Sequence, residues 1–559
     1  MPHVVTQNCC NDAACVAACP VNCIHPTPDE PDYFSTEMLY IDPEVCIDCG
    51  ACAEACPVNA IVSDFELVPA DAPFVALNHQ WFADPAHRDY VPTASSRPSQ
   101  TTTQPRGGPL RVAVVGTGPA ACYTVDDLIG RPGVEVSMFE RLPTPWGLAR
   151  FGVAPDHPET KAVTELFEQT IREPNVRLHL DVEIGKDITH RDLLLHNHAV
   201  VYATGAPGDR RLGIPGEELS GSHSATDFVG WYNGHPSHAM HEIDLSCERA
   251  VVVGNGNAAL DIARILASDP ERLASTDIAD HALQQLRKSR IREVTVLGRR
   301  GPAQASFTTP ELLGLAKLAD FDVVLRPEEL ILDPATATAF DRAPHAMGKY
   351  KVDVLQDIAN RAHRGRRSLA LRFSVSPVAV LGDSHVTGVR LAHNVLEQVD
   401  DEIVAHATDC TETLDCGLVV CSAGFRGSPL PDIPFDQSRG VVPNRAGRVT
   451  DPESGHAIPG VYVTGWIKRG PAGSIGTNKW CAKDTVAAMM ADYEAGRLSE
   501  PCADRSSFDC TMKSHDALDI RGWEAIDSYE RGRGNEASRP RIKLVDRSQM
   551  REIANRKHV

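Results

Sequence analysis

Short apolar runs alternate with amphipathic segments over most of the chain beyond residue 110. Residues 111–115 and 134–140 are two such runs, and the segment between them has the apolar spacing that is typical of a helix. The pattern recurs at residues 250–297, where two further apolar runs flank a second helix-like segment. Strands that alternate with helices are typical of α/β domains with parallel sheets. The sequence therefore predicts two domains of this class.

The first apolar run leads into GTGPAA, where Gly116, Gly118 and Ala121 have the G-x-G-x-x-G/A spacing of a dinucleotide-binding turn. In such a turn the first glycine permits a tight bend, and the second lets the backbone approach a pyrophosphate that the helix N-terminus binds. Glu140 lies 24 residues after Gly116, near the usual place of an acid that binds an adenosine ribose. We therefore predict a dinucleotide site that includes Gly116, Gly118, Ala120, Ala121 and Glu140.

A second turn of the same kind follows in RAVVVGNGNAALDIARIL, which carries Gly254, Gly256 and Ala259. The next apolar run, EVTVLG, ends in Arg299 and Arg300 instead of an acid. An acid would repel a 2′-phosphate, whereas arginines bind one through charge-assisted hydrogen bonds. The second site is therefore expected to prefer NADP over NAD, although an arginine pair can also be a solvated surface feature.

The first hundred residues lack the α/β pattern and differ in composition. They contain fourteen Asp and Glu residues against only Arg88 and Arg97, and nine of the seventeen cysteines lie before residue 57. Such an acidic surface argues against nucleic acid and suggests docking on a basic patch, unless it serves only solubility. The regular cysteine spacing favours metal binding over disulfides.

One cysteine motif, CIDCGACAEACP, has the spacing of bacterial ferredoxins, in which three thiolates hold one cluster and the fourth reaches the other cluster. The first motif contains Cys9, Cys15 and Cys19, with Asp12 in the second ligand position. Carboxylate is a harder and weaker ligand for this iron than thiolate, so the cluster beside Asp12 can lack its fourth iron and rest as 3Fe-4S. We expect one 4Fe-4S cluster and one 3Fe-4S or 4Fe-4S cluster. Their predicted ligands are Cys46, Cys49, Cys52 and Cys19 for the first, and Cys9, Cys15 and Cys56 for the second. Cys10 and Cys23 are off this register and are expected to be bystanders.

The length of 559 residues predicts three or four domain-sized units. We find no apolar run long enough to span a membrane and no signal-like N-terminus, so we expect a cytoplasmic protein. Residues 91–109 are rich in Ser, Thr, Pro and Gly and have no apolar periodicity, which predicts a flexible linker.

Residues 1–85, with VVTQNC and CPVNC, resemble the seven-iron bacterial ferredoxins. Residues 110–559 resemble the adrenodoxin reductase family of NADPH:ferredoxin reductases through WGLARFGVAPDHP, DFVGWYNG, GNGNAALDIAR, LGRRGP and GWIKRGPAGSIGTN. The resemblance implies an α/β fold of glutathione-reductase type, with two Rossmann-like dinucleotide-binding domains after a small α+β ferredoxin domain. The expected units are a ferredoxin domain (1–90), the linker (91–109), an FAD-binding domain in two parts (110–208 and 416–559, the latter with a C-terminal tail) and an NADP-binding domain (209–415).

The resemblance also assigns expected roles to single residues. It implies that His157 lies near the flavin ring and that Glu311, in FTTPEL, lies on the nicotinamide side. We take these two as the candidate catalytic residues, although a lone histidine is more often structural. The other implied cofactor contacts are Leu148, Ile184, Trp466, Gly473, Ser474 and Ile475 for FAD, and Asn255, Gly256, Asn257 and Ala258 for the NADP pyrophosphate.

Together these features predict an NADPH:ferredoxin oxidoreductase. NADPH gives two electrons as hydride, iron–sulfur clusters take one at a time, and FAD can do both. The acceptor beyond the clusters is left open between another ferredoxin and a haem monooxygenase system. A subunit of a glutamate synthase-type iron–sulfur flavoenzyme is the main alternative, and a carrier module with degenerate sites is another. A disulfide reductase is disfavoured because neither dinucleotide domain has a C-x-x-C motif.

Basic residues on the reductase part are candidates for receiving the acidic ferredoxin domain. They are Arg287, Lys288, Arg290 and Arg292, together with residues 361–372. Solvated arginines are the commoner explanation for such clusters.

Overall fold

The computed structural model describes residues 2–88, 90, 109–365, 367–400, 402–503 and 505–556. The predicted linker therefore lies outside the described residues, apart from Pro109. Within the described part of the chain, no helix combines the length and apolar character that a membrane crossing requires.

The N-terminal domain (residues 2–90) joins two small antiparallel sheets to three helices. Asn78 connects the sheets, because its Oδ1 accepts from Val5 N at 3.3 Å and from Ile41 N at 3.0 Å. Each of the first two helices ends at a Cys-Pro pair, since proline cannot continue a helix that requires its N–H. The elements are β1 (His3–Val5), α1 (Ala14–Ala18), β2 (Ile24–His25), β3 (Tyr40–Ile41), α2 (Ala51–Ala55), β4 (Ile61–Ser63) and α3 (Pro73–Ala83).

The first α/β domain begins with a strand that is buried on both faces, as in a parallel sheet covered by helices. Its first part contains β5 (Leu110–Val115), α4 (Pro119–Ile129), β6 (Val134–Glu140), α5 (Leu148–Phe151), α6 (Pro158–Lys161), α7 (Val163–Ile171), β7 (Val176–Leu180), α8 (His190–His196) and β8 (Ala199–Tyr202).

The second α/β domain follows and repeats the strand–turn–helix order. It contains β9 (Gly208–Asp209), β10 (Ser222–Ser224), α9 (Ala225–Asn233), β11 (Arg249–Val253), α10 (Asn257–Ala267), α11 (Pro270–Leu273), α12 (Asp280–Arg287), β12 (Glu293–Leu297), α13 (Thr309–Ala316), β13 (Phe321–Leu325), α14 (Pro334–Arg342), α15 (Met347–Ala359), β14 (Arg367–Arg372), β15 (Val375–Leu381), β16 (Gly388–Val399), β17 (Glu402–Asp415) and β18 (Leu418–Cys421). Its parallel sheet has the order β10-β18-β11-β12-β14-β13, and β15, β16 and β17 form a separate antiparallel sheet.

The chain then returns to the first domain. The remaining elements are β19 (Phe425–Arg426), β20 (Asn444–Arg445), β21 (Arg448–Thr450), β22 (Ala457–Val463), α16 (Trp466–Arg469), α17 (Thr477–Glu494), α18 (Arg505–Ser514), α19 (Ile520–Glu536) and α20 (Arg547–Ala554). Of these, β20, β21 and β22 complete a sheet of order β20-β21-β22-β8-β5-β6-β7, in which β22 pairs in parallel with β8. The predicted fold class, two dinucleotide-binding α/β domains after a small α+β domain, is confirmed.

The predicted boundary between residues 415 and 416 is wrong. Strand β18 (Leu418–Cys421) lies between β10 and β11 of the second sheet, so the chain leaves that domain only after Cys421. A short apolar strand such as LVVC carries no signal for the sheet it joins, because every buried parallel strand has the same composition.

Candidate functional site

The turn between β5 and α4 has the geometry of a phosphate-binding site. Gly116 has a φ of +108°, and a Cβ there would lie 2.5 Å from the carbonyl oxygen of Ala203, so only glycine fits. Gly118 precedes α4, whose first N–H groups are free of intrahelical partners. Ala121 is fully buried and lets α4 lie close to the sheet. This turn can hold an anion at the N-terminus of α4.

Glu140 lies at the end of β6, beside this turn. Its Oε2 accepts from Thr117 Oγ1 at 2.7 Å, and its Oε1 accepts from Leu142 N at 3.1 Å. Burial raises the pKa of its carboxyl group, and these hydrogen bonds oppose the rise. Because each carboxylate oxygen has a second lone pair, ribose hydroxyls can still donate to it.

One wall of the predicted flavin site is the segment around Trp146. Trp146 has a φ of +83°, and its N–H donates to the Thr117 carbonyl oxygen at 3.2 Å. The C-terminal helix α19 supports it, since the Trp523 ring packs edge-on at 6.1 Å. Leu148 follows with 40% of its surface exposed, and Ile184 is half-buried in the apolar cluster at the strand ends. Leu148 begins α5 directly after Gly147, where a Cβ would lie 3.1 Å from the Cα of Gly118, and Ile184 lies in the loop after β7.

The opposite wall comes from the returning chain. A Cβ on Gly465 would lie 2.5 Å from the Cβ of Ala120, so this segment meets the start of α4 closely. The Trp466 ring stacks on Phe425 at 6.1 Å, and its Nε1 is buried with no hydrogen-bond partner among the described residues. A buried donor without a partner is costly unless a ligand accepts from it. The loop of Gly473, Ser474 and Ile475 follows immediately, so the residues present fit a flat polar cofactor such as FAD.

The second turn, between β11 and α10, repeats the first. Gly254 also has a φ of +108°, and a Cβ there would lie 2.2 Å from the Ser422 carbonyl oxygen. No atom lies within 4 Å of a Cβ built on Gly256, which leaves room for a phosphate. The amides of Asn255 and Asn257 accept from Ser306 N at 3.4 Å and Thr308 N at 2.8 Å. These two side chains therefore fix the loop that leads into α13, and Ala258 lies half-buried in the first turn of α10.

Arg299 and Arg300 follow β12 directly, beside the second turn. Arg299 is exposed and Arg300 is half-buried. Backbone hydrogen bonds hold this segment, because Ser374 N donates to the Arg300 carbonyl oxygen at 3.0 Å and Asn394 Nδ2 donates to that of Arg299 at 2.7 Å. The strand end thus presents two cations to solvent where a 2′-phosphate is expected.

The two predicted catalytic residues meet around a residue that sequence reasoning missed, Arg264. Its guanidinium donates to Asp156 at 2.8 and 3.0 Å, to Asp261 at 2.7 Å and, at shorter range, to Glu311. His157 Nε2 lies 2.7 Å from Arg264 Nη2 and 3.3 Å from Asp261 Oδ1. Asp156 and His157 belong to the first α/β domain, whereas Asp261, Arg264 and Glu311 belong to the second. Arg264 therefore ties the two domains together.

Charge pairing sets the protonation states in this cluster. Burial would raise the pKa of Glu311, but the charge of Arg264 and the hydrogen bond from His157 lower it to about 2. Burial would lower the pKa of His157, but hydrogen bonds to Asp261 and Glu311 raise it to about 10. Glu311 is therefore ionised at neutral pH, and the neighbouring carboxylates favour the charged form of His157. Glu311 serves as a fixed charge rather than as a group that exchanges protons near pH 7.

A cavity of about 600 Å³ opens beside this cluster. Trp146 and His157 line it from the first α/β domain, Arg264 from the second, and Gln7 and Asn8 from the N-terminal domain. Three domains thus border one space large enough for a nicotinamide or flavin ring system.

The cysteines of the N-terminal domain fall into two groups. Cys19, Cys46, Cys49 and Cys52, the predicted ligands of the 4Fe-4S cluster, line one cavity between α1 and α2. Cys23, expected to be a bystander, lines the same cavity, and its Sγ lies 3.5 Å from that of Cys19.

The other group is Cys9, Cys15 and Cys56, with Asp12 beside them. Burial raises the pKa of the Cys15 thiol well above its usual value, and the neighbouring charges of Cys9, Asp12 and Cys56 add to the rise. A buried thiol with such a raised pKa stays protonated unless a metal ion displaces the proton and binds the thiolate. The Asp12 carboxylate already has partners, since Oδ1 accepts from Ala14 N at 3.2 Å and Oδ2 lies 3.6 Å from Lys479 Nζ.

The N-terminal domain docks on the α/β domains through acidic groups that meet lysines. Glu37 Oε1 lies 2.7 Å from Lys351 Nζ, and Asp71 forms an ion pair with Lys317. Glu37 Oε2 also accepts from Thr309 N at 2.7 Å, at the start of α13. Closer to the cluster of Arg264, Gln7 Nε2 donates to Glu311 Oε2 at 3.2 Å.

Acidic-on-basic docking is observed, but the prediction is wrong for Arg287, Arg290 and Arg372, which pair elsewhere; Arg366 of the predicted segment lies outside the described residues. Arg287 pairs with Glu271 at 2.8 Å, Arg290 with Glu248 at 3.6 Å, and Arg372 with Glu329 at 2.6 Å. These arginines are neutralised within their own domain. Clustering along the sequence does not report such pairing, because the partners come from distant segments.

Comparisons with known proteins identify relatives of both parts of the chain. Residues 39–62 match the family described as 4Fe-4S binding domain, and residues 110–301 match the pyridine nucleotide-disulphide oxidoreductases. A Mycobacterium tuberculosis (strain ATCC 25618 / H37Rv) protein named "Probable ferredoxin/ferredoxin--NADP reductase" is 49% identical over 559 residues, covering 98% of this chain and 94% of that protein. The mitochondrial NADPH:adrenodoxin oxidoreductase of Salvelinus fontinalis is 38% identical over 468 residues, covering 81% of this chain and 93% of that protein. A solved structure of Mycobacterium tuberculosis FprA in complex with NADPH is 41% identical, covers 80% of this chain and 99% of its own, and superposes with a TM-score of 0.75.

Proposed function

Because this chain belongs to the ferredoxin/ferredoxin–NADP reductase family, we propose that its N-terminal clusters are the internal acceptors of electrons from NADPH. The chain is an FAD- and NADP-dependent oxidoreductase with a 4Fe-4S binding domain. FAD, when bound, supplies the conversion of a two-electron hydride into single electrons. The observation that carries the proposal is the seat of the N-terminal domain, in which Gln7 donates to Glu311 of the second α/β domain and the Cys10 carbonyl oxygen accepts from Ser474 of the predicted flavin loop.

The glycine turns are the proposed sites of the two cofactor pyrophosphates. Gly116, Gly118 and the N-terminus of α4 bind that of FAD, and Glu140 binds its ribose. Gly256 and the N-terminus of α10 bind that of NADP. Arg299 and Arg300 bind its 2′-phosphate and thereby select NADP over NAD.

The charged cluster around Arg264 has a positioning role. It holds the loop of His157 against Glu311 and so fixes the distance between the two dinucleotide sites. Hydride transfer needs the nicotinamide and flavin rings in near-contact, so a rigid domain junction favours the reaction.

The two cysteine groups are proposed to hold different clusters. Cys19, Cys46, Cys49 and Cys52 supply the four thiolates that a 4Fe-4S cluster needs. Cys9, Cys15 and Cys56 supply three, and the nearby Asp12 carboxylate is engaged by Ala14 N and Lys479. This supports a 3Fe-4S cluster at the second group. The acceptor beyond the chain is proposed to be another ferredoxin or a haem monooxygenase system.

Anaerobic titration with NADPH tests the proposed function. Flavin absorbance is expected to bleach first, and NADPH consumption is expected to continue while the iron–sulfur absorbance falls. Consumption that stops at one NADPH per flavin, with the iron–sulfur absorbance unchanged, would contradict the proposal. Dithionite added afterwards serves as the control that both clusters are present and reducible.

A further inference from the structure

A single peptide unit joins the two cofactor regions. Ser474 Oγ and Gly476 N both donate to the carbonyl oxygen of Cys10, at 2.6 and 2.7 Å. Ser474 lies in the loop assigned to the flavin, and Cys10 directly follows Cys9 of the three-cysteine group. The backbone of the flavin loop is therefore hydrogen-bonded to the backbone that carries this group.

This contact requires a glycine at position 476 because there is no room for a side chain, and not because of the backbone conformation. A Cβ there would lie 2.3 Å from Asp12 N and 2.4 Å from the Cys10 carbonyl oxygen. Its φ lies outside the left-handed region, so other residues could adopt the same backbone. The glycine thus lets the two domains meet at van der Waals distance beside Cys9 and Asp12.

Apolar packing also connects the two regions. Cys10, Val58 and Ala60 of the N-terminal domain belong to the same buried cluster as Trp146 and Ile475 of the flavin site. Cys9 and Cys56 are partly buried and pack against this cluster. Such a close-packed medium contains few voids. It therefore provides a packed route for electrons, whose transfer slows steeply with every gap.

The four-cysteine group is placed differently. All the residues lining its cavity belong to the N-terminal domain. Cys49 is exposed, and the neighbouring Ile47 has 58% of its surface exposed. This group faces solvent, where an external acceptor can approach.

We propose that electrons reach the N-terminal domain at the cluster of Cys9, Cys15 and Cys56, through the contact of Cys10 with Ser474 and Gly476, and leave from the cluster of Cys19, Cys46, Cys49 and Cys52. The inference rests on the proposed function and adds the direction of the relay. With the cofactors bound, the reduced flavin would give one electron at a time to the cluster of Cys9, Cys15 and Cys56, reducing one ferric iron, and its proton would go to solvent. That cluster would then pass the electron to the cluster of Cys19, Cys46, Cys49 and Cys52 and be reoxidised.

Gly476→Ala tests the contact, with Gly532→Ala as the matched control because a Cβ on Gly532 meets nothing within 4 Å. Stopped-flow absorbance after NADPH mixing records flavin reduction and cluster reduction in one trace, and their rate ratio is the readout. Gly476→Ala is expected to slow cluster reduction at least tenfold relative to flavin reduction, and Gly532→Ala is expected to keep the wild-type ratio. An unchanged ratio in Gly476→Ala overturns the inference.

Lys479→Met provides a second test that does not disturb the backbone contact. Lys479 Nζ lies 3.6 Å from Asp12, so its charge favours the reduced state of the nearby cluster. The variant is expected to lower the midpoint potential of the three-cysteine cluster, as measured by EPR-monitored redox titration. It is also expected to slow the reduction of this cluster by flavin. Lys317→Met, which removes the distant pair with Asp71, is expected to change neither. A lowered potential with an unchanged rate of first cluster reduction argues against this cluster as the receiver.

The proposed function and the relay direction would be rejected by different results. Wild-type clusters that stay oxidised after the flavin is reduced reject the proposed function and the relay together. Wild-type clusters that are reduced, with Gly476→Ala and Lys479→Met equal to wild type, reject only the relay direction.

Discussion

Replacing Arg299 and Arg300 together with alanine is expected to weaken NADPH binding at least a hundredfold. Each charge-assisted hydrogen bond contributes about 1.5–3 kcal/mol, so each single substitution is expected to cost at least about tenfold. NADH lacks the 2′-phosphate, so its binding should change little. The ratio of kcat/KM for NADPH to that for NADH is the direct measurement, since a loss of fold or flavin lowers both values equally.

Arg290→Ala is the matched control for this pair. Arg290 is an exposed arginine of the same domain, with a surface ion pair to Glu248, and its loss is expected to leave the ratio unchanged. The effect of the double variant should also shrink at high salt, because salt screens the phosphate interaction. Equal losses with NADPH and NADH would remove Arg299 and Arg300 from the 2′-phosphate site.

Replacing Arg264 with methionine is expected to lower the free energy of unfolding by about 3–5 kcal/mol at neutral pH. The side chain is only 4% exposed, and its removal leaves three carboxylates without their shared cation. Urea denaturation at equal flavin content, followed by circular dichroism, measures the loss. Arg272→Met is the control, because Arg272 pairs with Asp156 from a side chain that is 34% exposed. A loss no larger than in Arg272→Met would show that Arg264 does not hold the junction.

The pH dependence of this stabilisation has a defined sign. The charge of Arg264 outweighs burial and lowers the pKa of both Asp156 and Glu311 to about 2. Their contribution is therefore complete above the unfolded pKa of about 4 and is lost as the pH falls toward 2. His157 has a pKa raised to about 10, so its contribution is complete below about 6.5 and is lost as the pH rises through 10. In Arg264→Met the acid-side dependence should be much weaker.

The turns around Gly116 and Gly254 could be predicted because their chemistry is local. Each needs a strand, a glycine with positive φ and a helix, and all three are adjacent in the sequence. The grouping of Cys19 with Cys46, Cys49 and Cys52 was also predictable, because the Cys-x-x-Cys spacing and the reaching fourth cysteine are properties of the motif.

Arg264 and the docking lysines were not predictable in the same way. Arg264 lies in the helix that follows the second turn. Its partners come from its own helix, from Glu311, 47 residues away, and from the segment of Asp156, 108 residues away. The only signal was a pair of charged residues, Asp261 and Arg264, within the apolar stretch ALDIARIL. Lys317, Lys351 and Lys479 lie far apart in the sequence and meet acidic groups of the N-terminal domain only in the folded chain. The route of β18 was missed because strand composition does not specify a neighbouring strand.

Electrons are proposed to pass from flavin to clusters within one chain. Anaerobic stopped-flow mixing with saturating NADPH, over a wide range of protein concentration, tests this claim most directly. The rate constant for cluster reduction is expected to be the same at every protein concentration, because donor and acceptor share one molecule. A rate constant that rises in proportion to protein concentration would show transfer between molecules and would contradict the account.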